Sequence, residues 1–116
     1  MYRAKTEVQR RVAATFVDWG IPTSEAIQAA RQAGGADFPV IASGGLRDGL
    51  DVAKCIALGA NMGGMAGPFL KAAVKSLDAV LEQIQITQTE LRVAMFGVGA
   101  ATIEALQNTD RLKKRR

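Results

Sequence analysis

Apolar positions follow two different spacings along this chain, one helical and one strand-like. Between residues 3 and 17, Val8, Val12 and Phe16 stand four apart, which predicts an amphipathic helix. The run over 38–42 is instead compact and apolar and leads into a Ser-Gly-Gly turn, a pattern typical of a buried strand in a parallel sheet. The chain therefore reads as an alternation of helices and short strands.

The remaining predicted elements continue this alternation. In chain order they are a short strand ending near Thr23, a helix over 25–33 with Ser24 as N-cap and Gly34-Gly35 as its end, a helix over 50–58, a strand over 61–66, and helices over about 68–85, 89–95 and 100–107. Short strands separated by helices indicate an α/β fold with right-handed crossovers and a parallel sheet.

Three short strands make a thin sheet with two exposed edges. The pattern leaves two architectures open, a small open α/β domain or part of a barrel that continues upstream. The N-terminal sequence favours the second, because the chain opens in a helix with no preceding strand and no clear N-cap before Arg3.

Basic charge is concentrated at the C-terminal end of the sequence. Five of the fifteen cations fall within 111–116, whereas 1–110 carry ten cations and eleven acids. A folded nucleic-acid binder usually carries a basic stripe on its body, so we predict a solvated basic tail over 111–116 and no nucleic-acid partner. Charges or Gly/Pro interrupt every apolar run, and no signal peptide is visible, so no membrane partner is expected.

The chain contains no histidine and one cysteine, Cys55. These counts exclude an internal disulfide, a zinc site built from His and Cys, and Ser-His-Asp or Cys-His catalysis within this chain. We therefore predict a reducing, cytoplasmic setting with no catalytic residue and no metal ligand in this sequence. Cys55 is interpreted as a buried structural thiol.

The turn over 43–47 is the first candidate for chemistry. Gly44 and Gly45 permit positive φ and a close approach of the backbone to a ligand. The helix that follows should direct unpaired N–H groups and the positive end of its dipole to the same place, and Arg47 adds a planar donor suited to phosphate. This pattern predicts a phosphate cradle. The alternative is a tight βα turn with a solvated Arg47, and Asp48 would either repel an anion or cap the helix.

A second glycine-containing turn, over 62–68, leads from the last predicted strand into a helix with Pro68 in its first turn. Because consecutive strands of a parallel barrel end on one face, this turn and Thr23 would lie beside the first turn. Phosphate sites of eight-stranded βα barrels are frequently built from neighbouring loops of this kind. The alternatives are a simple strand-to-helix turn and, for Thr23 with Ser24, an ordinary helix cap.

Four segments carry a more specific signal: FVDWGIPTSEAI (16–27), PVIASGGLRDGLDVAKCIALGA (39–60), GMAGPFLKAA (64–73) and ELRVAMFGVGAATIEAL (90–106). Together they resemble the C-terminal third of the type 2 isopentenyl-diphosphate delta-isomerases. GGLR is shared by many FMN-dependent barrels, whereas WGIPT and ELRVAMFGVGA point more narrowly to the isomerases. The resemblance covers the chain from about Tyr2 to Leu106.

The resemblance implies a fold and a cofactor site. Residues 1–110 would be the C-terminal portion of an FMN-dependent (β/α)8 TIM barrel, about three βα units plus terminal helices, and this chain alone would not close the barrel. The FMN phosphate would be held by the hydroxyl of Thr23, the backbone N–H groups of Gly44, Gly45 and Leu46, the charge of Arg47, and the turn at Ala66 and Gly67.

The resemblance also implies an activity for the parent protein, the interconversion of isopentenyl diphosphate and dimethylallyl diphosphate in isoprenoid biosynthesis by reduced FMN. Mg2+ and NADPH would serve the parent, with no ligand for either in this chain. The parent is expected to be a homo-oligomer, and this portion to be inactive alone. Two alternatives stay open: another FMN-dependent barrel of the α-hydroxy-acid oxidase or dehydrogenase type, which needs a catalytic histidine, and a non-catalytic phosphate-binding half-barrel.

Overall fold

A computed structural model of the chain describes residues 6–111 and has a helix-rich α/β fold with a small parallel sheet. The elements are α1 (Glu7–Thr15), α2 (Thr23–Gly34), β1 (Ile41–Ala42), α3 (Gly49–Ala57), β2 (Met62–Gly63), α4 (Gly67–Lys75), α5 (Leu77–Val98) and α6 (Ile103–Gln107). The α/β class expected from the alternating pattern is confirmed. Of the basic tail predicted over 111–116, all but Arg111 lies outside the described residues.

The sheet contains two strands within the described residues, where the sequence predicted three. β1 and β2 pair in parallel, with Ile41 opposite Met62. The expected strand ending near Thr23 does not form. Gly20 turns the chain at φ +123°, and Pro22 has no N–H to donate to a ladder.

Two predicted helix ends were wrong for local reasons. Ser24 is not an N-cap, because α2 already begins at Thr23 and its N-cap is Pro22. The start of α1 is Glu7, since the hydroxyl of Thr6 accepts from the N–H of Gln9 (3.1 Å) and closes a capping box. Residues 3–5, where that helix was expected to begin, lie outside the described residues.

The long helical stretch after Pro68 breaks at a different place from the one predicted. Ser76 is extended at φ −176° and its hydroxyl accepts from the N–H of Ala79 (3.0 Å), which starts a new helix. α5 then runs without interruption over 22 residues. The expected gap near 86–88 is absent. The helix accommodates Thr87 and Thr89, whose hydroxyls donate to carbonyls one turn earlier, both at 2.8 Å.

The core is centred on α3, which lies between the sheet, α5 and α6. Ile56 of α3 is 2% exposed, and Val52 and Cys55 are also buried. α3 approaches α5 closely because Gly49 has no side chain: a Cβ there would lie 2.7 Å from the Glu90 Cβ and from the Leu91 nitrogen.

One face of the sheet is left without a cover. On the covered face, a Cβ at Gly63 would lie 3.0 Å from Val52 of α3. On the other, Ile41 and Met62 are 64% and 54% exposed, although both faces of a parallel sheet are normally covered. No helix among the described residues combines the length and the apolar character required to cross a membrane.

Candidate phosphate-binding site

The carboxyl ends of β1 and β2 lead into two turns that line one concavity. Residues 43–46 form one wall and 64–67 the other, around a volume of about 650 Å³. The turns meet because the strands are parallel and adjacent, so both chains leave the sheet at the same edge. Gly44 and Gly45 have φ of +98° and +80°, a region that side chains rarely adopt.

Unpaired backbone donors line this concavity. The N–H groups of Gly44, Gly45 and Leu46 donate to no acceptor within residues 6–111, and the same holds for Ala66 and Gly67. No atom lies within 4 Å of the Cβ positions of Gly45 and Gly67, so a ligand can approach both backbones. Free N–H groups at an open site suit the oxygen atoms of an anion.

Three helices begin near the glycine turns, and of these α2 and α4 lack a side-chain cap while α3 has one. Side chains cap α1, α3, α5 and α6, whereas α2 and α4 have no such bond at their N-caps, Pro22 and Ala66. In α2 the N–H groups of Thr23 and Ser24 have no acceptor among the described residues, since only that of Glu25 donates within its first turn, to Pro22. In α4 the same holds for Gly67 and Phe69, so both helix starts can serve an external acceptor.

The helix expected to direct its N–H groups at an anion, α3, does not do so. The carboxylate of Asp48 accepts from the N–H of Asp51 at 2.8 Å, and the N–H of Gly49 donates to Glu90 at 3.2 Å. Asp48 therefore acts as the helix cap, one of the two roles expected for it. The prediction that α3 supplies donors was therefore wrong for Gly49 and Asp51, whose N–H groups already donate to acidic side chains.

Thr23 reaches the first turn from the start of α2. Its hydroxyl donates to the carbonyl of Gly44 at 3.2 Å, and a smaller concavity of about 340 Å³ joins Thr23 to 44–47. The segment 44–46 lines both concavities. The predicted residues thus line two adjoining concavities. The Thr23 hydroxyl, which was predicted to donate to the phosphate, donates to the Gly44 carbonyl of the turn instead.

Arg47 stands at the rim, and its side chain is 81% exposed. Its Nε donates to Oδ2 of Asp51 at 3.2 Å, and its backbone N–H donates to the same oxygen at 3.0 Å. The hydrogen bond to Asp51 and the charges of Asp51 and Asp48 raise the pKa of Arg47. Burial raises the pKa of Asp51, but the bonds and charge of Arg47, with the charge of Lys54, outweigh burial and leave that pKa below its usual value.

Lys54 was not among the residues predicted for the site. It lines the smaller concavity together with Thr23 and Arg47. Asp51 and Lys54 stand three apart in α3 and so share one face, but their spacing does not show what that face lines. Cys55 lies beside Lys54 as a buried thiol, and burial, assisted by the charge of Asp51, raises its pKa and disfavours the reactive thiolate.

A groove of about 600 Å³ lies between the start of α3 and the middle of α5. Its lining is mostly apolar, and its charged members are the carboxylates of Asp48 and Glu90, which would repel phosphate. No group of His, Cys, Asp and Glu side chains able to hold a metal ion occurs in the described part of the chain. The glycine turns are therefore the site best suited to a phosphate group.

Comparison with known proteins places this site in a family context. The sequence profile of the FMN-dependent dehydrogenases matches residues 15–113. The isopentenyl-diphosphate delta-isomerase of Nostoc sp. is 46% identical over 112 residues, which cover 97% of this chain and 32% of that protein. The isomerase of Rickettsia bellii is 45% identical over 94% of this chain and 32% of its own length. Rickettsia felis has a relative of the same name that is 42% identical over 94% of this chain and 31% of its own length.

These matches confirm the resemblance that the four sequence segments indicated. The chain spans about a third of the length of the curated relatives it matches. Both turns of the candidate site fall within the matched region, 15–113.

Proposed function

The chain belongs to the FMN-dependent dehydrogenase family, and from this premise we propose that it binds the phosphate of FMN as part of an isopentenyl-diphosphate delta-isomerase. The observation that carries the proposal is the concavity in which two glycine turns present free N–H groups beside Arg47 and Lys54. The reaction proposed for the whole protein is the reversible conversion of isopentenyl diphosphate to dimethylallyl diphosphate.

The residues present fit a phosphate monoester dianion. Gly44, Gly45 and Leu46 offer donors from one side, Ala66 and Gly67 from the other, and the adjacent cations supply opposite charge. FMN, when bound, supplies the isoalloxazine ring that carries the redox-active chemistry. This chain's own contribution is to fix the phosphate end of the cofactor and so to orient that ring.

We propose that β1 and β2 are two neighbouring strands of a (β/α)8 barrel. Their parallel pairing, the covering of one face by α3, and the exposed Ile41 and Met62 on the other face support this arrangement. In such a barrel the inward face is filled by side chains of the other strands. Barrels of this kind also place their phosphate-binding loops at the carboxyl ends of adjacent strands.

The likeness to the isomerases also implies ligands and partners for the whole protein. We propose that Mg2+ binds the substrate diphosphate and that NADPH keeps the flavin reduced, both through parts of the protein other than residues 6–111. A cytoplasmic homo-oligomer is proposed on the same likeness.

A chimaera tests the proposed function directly. The matching third of the Nostoc isomerase is replaced by this chain, and the purified protein is assayed for bound FMN and, under reducing conditions, for isomerisation of isopentenyl diphosphate. We expect both, with the unaltered Nostoc enzyme as the matched control. A folded chimaera that contains no flavin, or that binds flavin and lacks isomerase activity, would contradict the proposal.

A further inference from the structure

We propose that Asp51 is a positioning residue for phosphate binding, which holds Arg47 by one edge of its guanidinium and leaves the other edge free for the phosphate. This inference rests on the proposed function, since it concerns the same site. It assigns a role to a carboxylate that the phosphate site would otherwise be expected to exclude, because like charges repel.

The contact between the two residues uses a single oxygen and a single edge. Oδ2 of Asp51 accepts from the Nε of Arg47 at 3.2 Å and from the backbone N–H of Arg47 at 3.0 Å. The terminal nitrogens of Arg47, Nη1 and Nη2, donate to no acceptor within the described residues. A guanidinium can bind phosphate through two parallel N–H bonds, so the edge such binding needs is available while Asp51 stays bound.

Asp51 is the fixed member of the pair. Its side chain is 17% exposed, against 81% for Arg47, and its own N–H donates to the carboxylate of Asp48 at 2.8 Å. It lies in the first turn of α3, where the helix dipole favours a negative charge. Asp51 thus provides a rigid anchor to which the flexible arginine is attached.

An anchored arginine binds an anion at lower entropic cost than a free one. An exposed arginine samples many rotamers, and ordering it on binding opposes affinity. The two bonds to Asp51 restrict both the backbone and the side chain of Arg47 before any ligand arrives. Lys54, on the same face of α3, adds a cation that offsets the charge of Asp51.

The test measures binding of inorganic phosphate to the 15N-labelled chain, followed by the amide resonances of Gly44, Gly45 and Gly67. We expect Asp51→Asn to weaken phosphate affinity by about five- to tenfold, because the amide keeps the shape and loses the charge. Arg47→Ala should weaken it at least as much, and Asp51→Asn added to Arg47→Ala should change it by less than about twofold. That non-additivity is the signature of a residue acting through Arg47.

Arg47→Lys keeps the test decisive if Asp51→Asn fails to fold. A lysine keeps the positive charge but has no planar pair of N–H groups to offer a phosphate while it is held by Asp51, so its phosphate affinity should fall between those of the wild type and Arg47→Ala. Wild-type affinity in Arg47→Lys, or unchanged or tighter binding in Asp51→Asn, would overturn the role of Asp51 while leaving the phosphate site intact. Absence of any phosphate-dependent shift in the wild-type chain would overturn the site itself.

Discussion

Single residues decide the shape of the turn after β1. Gly44 and Gly45 were predicted at sequence level, because adjacent glycines after a strand signal positive φ, and both values are positive. The pairing of Arg47 with Asp51 was not predicted, because the direction of an exposed side chain depends on contacts that spacing alone does not show. Lys54 was missed as a site residue for the same reason.

Gly45→Ala and Gly67→Ala form a matched pair of substitutions in the two turns. Neither added methyl group meets an atom within 4 Å. Any difference in stability between the two variants therefore comes from the backbone conformation at the substituted residue. At φ +80° alanine at position 45 should lower the free energy of unfolding by about 1–2 kcal/mol. Alanine at position 67, the first residue of α4, should not lower the free energy of unfolding. Urea unfolding measures both, and equal losses would contradict this account.

The charge of Asp51 predicts a dependence of stability on pH. Its pKa in the folded chain lies below the usual value, so the ionised carboxylate stabilises the fold above its unfolded pKa of about 3.9. This contribution is lost as the pH falls below about 4, through the lower folded value. Urea midpoints between pH 7 and pH 2.5 should fall less steeply with acid in Asp51→Asn than in the wild type. If the urea midpoints of the two proteins fell equally with pH, the ionisation of Asp51 would not contribute to stability.

At the scale of elements, prediction succeeded where a helix carries its own start and stop signals. α3 was expected over 50–58 and spans Gly49–Ala57, with Asp48 as its cap. The stretch after Pro68 was expected to break between residues 85 and 89, whereas the real break lies at Ser76, whose side chain caps α5. The strand before Thr23 failed because a strand requires a partner, and residues 19–22 have no ladder partner among the described residues.

Replacing two glycines by alanine should have opposite effects on stability, because one lies at the contact between α3 and α5 and the other is exposed near the end of α5. Gly49→Ala would place a methyl group 2.7 Å from the Cβ of Glu90 and should destabilise the fold by about 1–3 kcal/mol. Gly97→Ala, in α5 with no atom within 4 Å, should stabilise it by about 0.5–1 kcal/mol through helix propensity. Thermal or urea unfolding of the two variants provides the comparison, and a stable Gly49→Ala protein would refute close packing here.

At the scale of the whole molecule, Arg31 joins segments from three parts of the chain at the end of the sheet opposite the glycine turns. Its Nε donates to the carbonyl of Gly59 at 2.9 Å, its Nη1 to that of Phe38 at 2.7 Å, and its Nη2 to Asn61 at 2.7 Å. In the barrel that we propose, this end of the strands would contribute to stability and the other end to function.

Arg31→Ala should therefore separate stability from binding. The loss of several charge-assisted hydrogen bonds should lower the free energy of unfolding by about 2–4 kcal/mol. The phosphate affinity of the folded fraction should stay within about twofold of the wild type, because no phosphate-site residue bonds to Arg31. Arg31→Lys is the control. It keeps the positive charge but loses the planar guanidinium with its several donors, and it should recover only part of the stability. A large change in phosphate affinity would link the two ends of the sheet.

The uncovered apolar face was the least accessible feature to sequence reasoning alone. The pattern left an open domain and part of a barrel as alternatives, because periodicity reports which residues are apolar and not what covers them. The exposed Ile41 and Met62 now favour a partner for that face. The family match and the span of about a third of its relatives agree with the barrel proposal.

The most direct test compares FMN with riboflavin, which lacks the phosphate, in amide NMR titrations of the 116-residue chain. The account predicts that FMN shifts the resonances of Gly44, Gly45, Leu46, Ala66 and Gly67 together, and that riboflavin at the same concentration leaves them unchanged. Equal shifts with both ligands, or FMN-dependent shifts confined to the groove between α3 and α5, would contradict it.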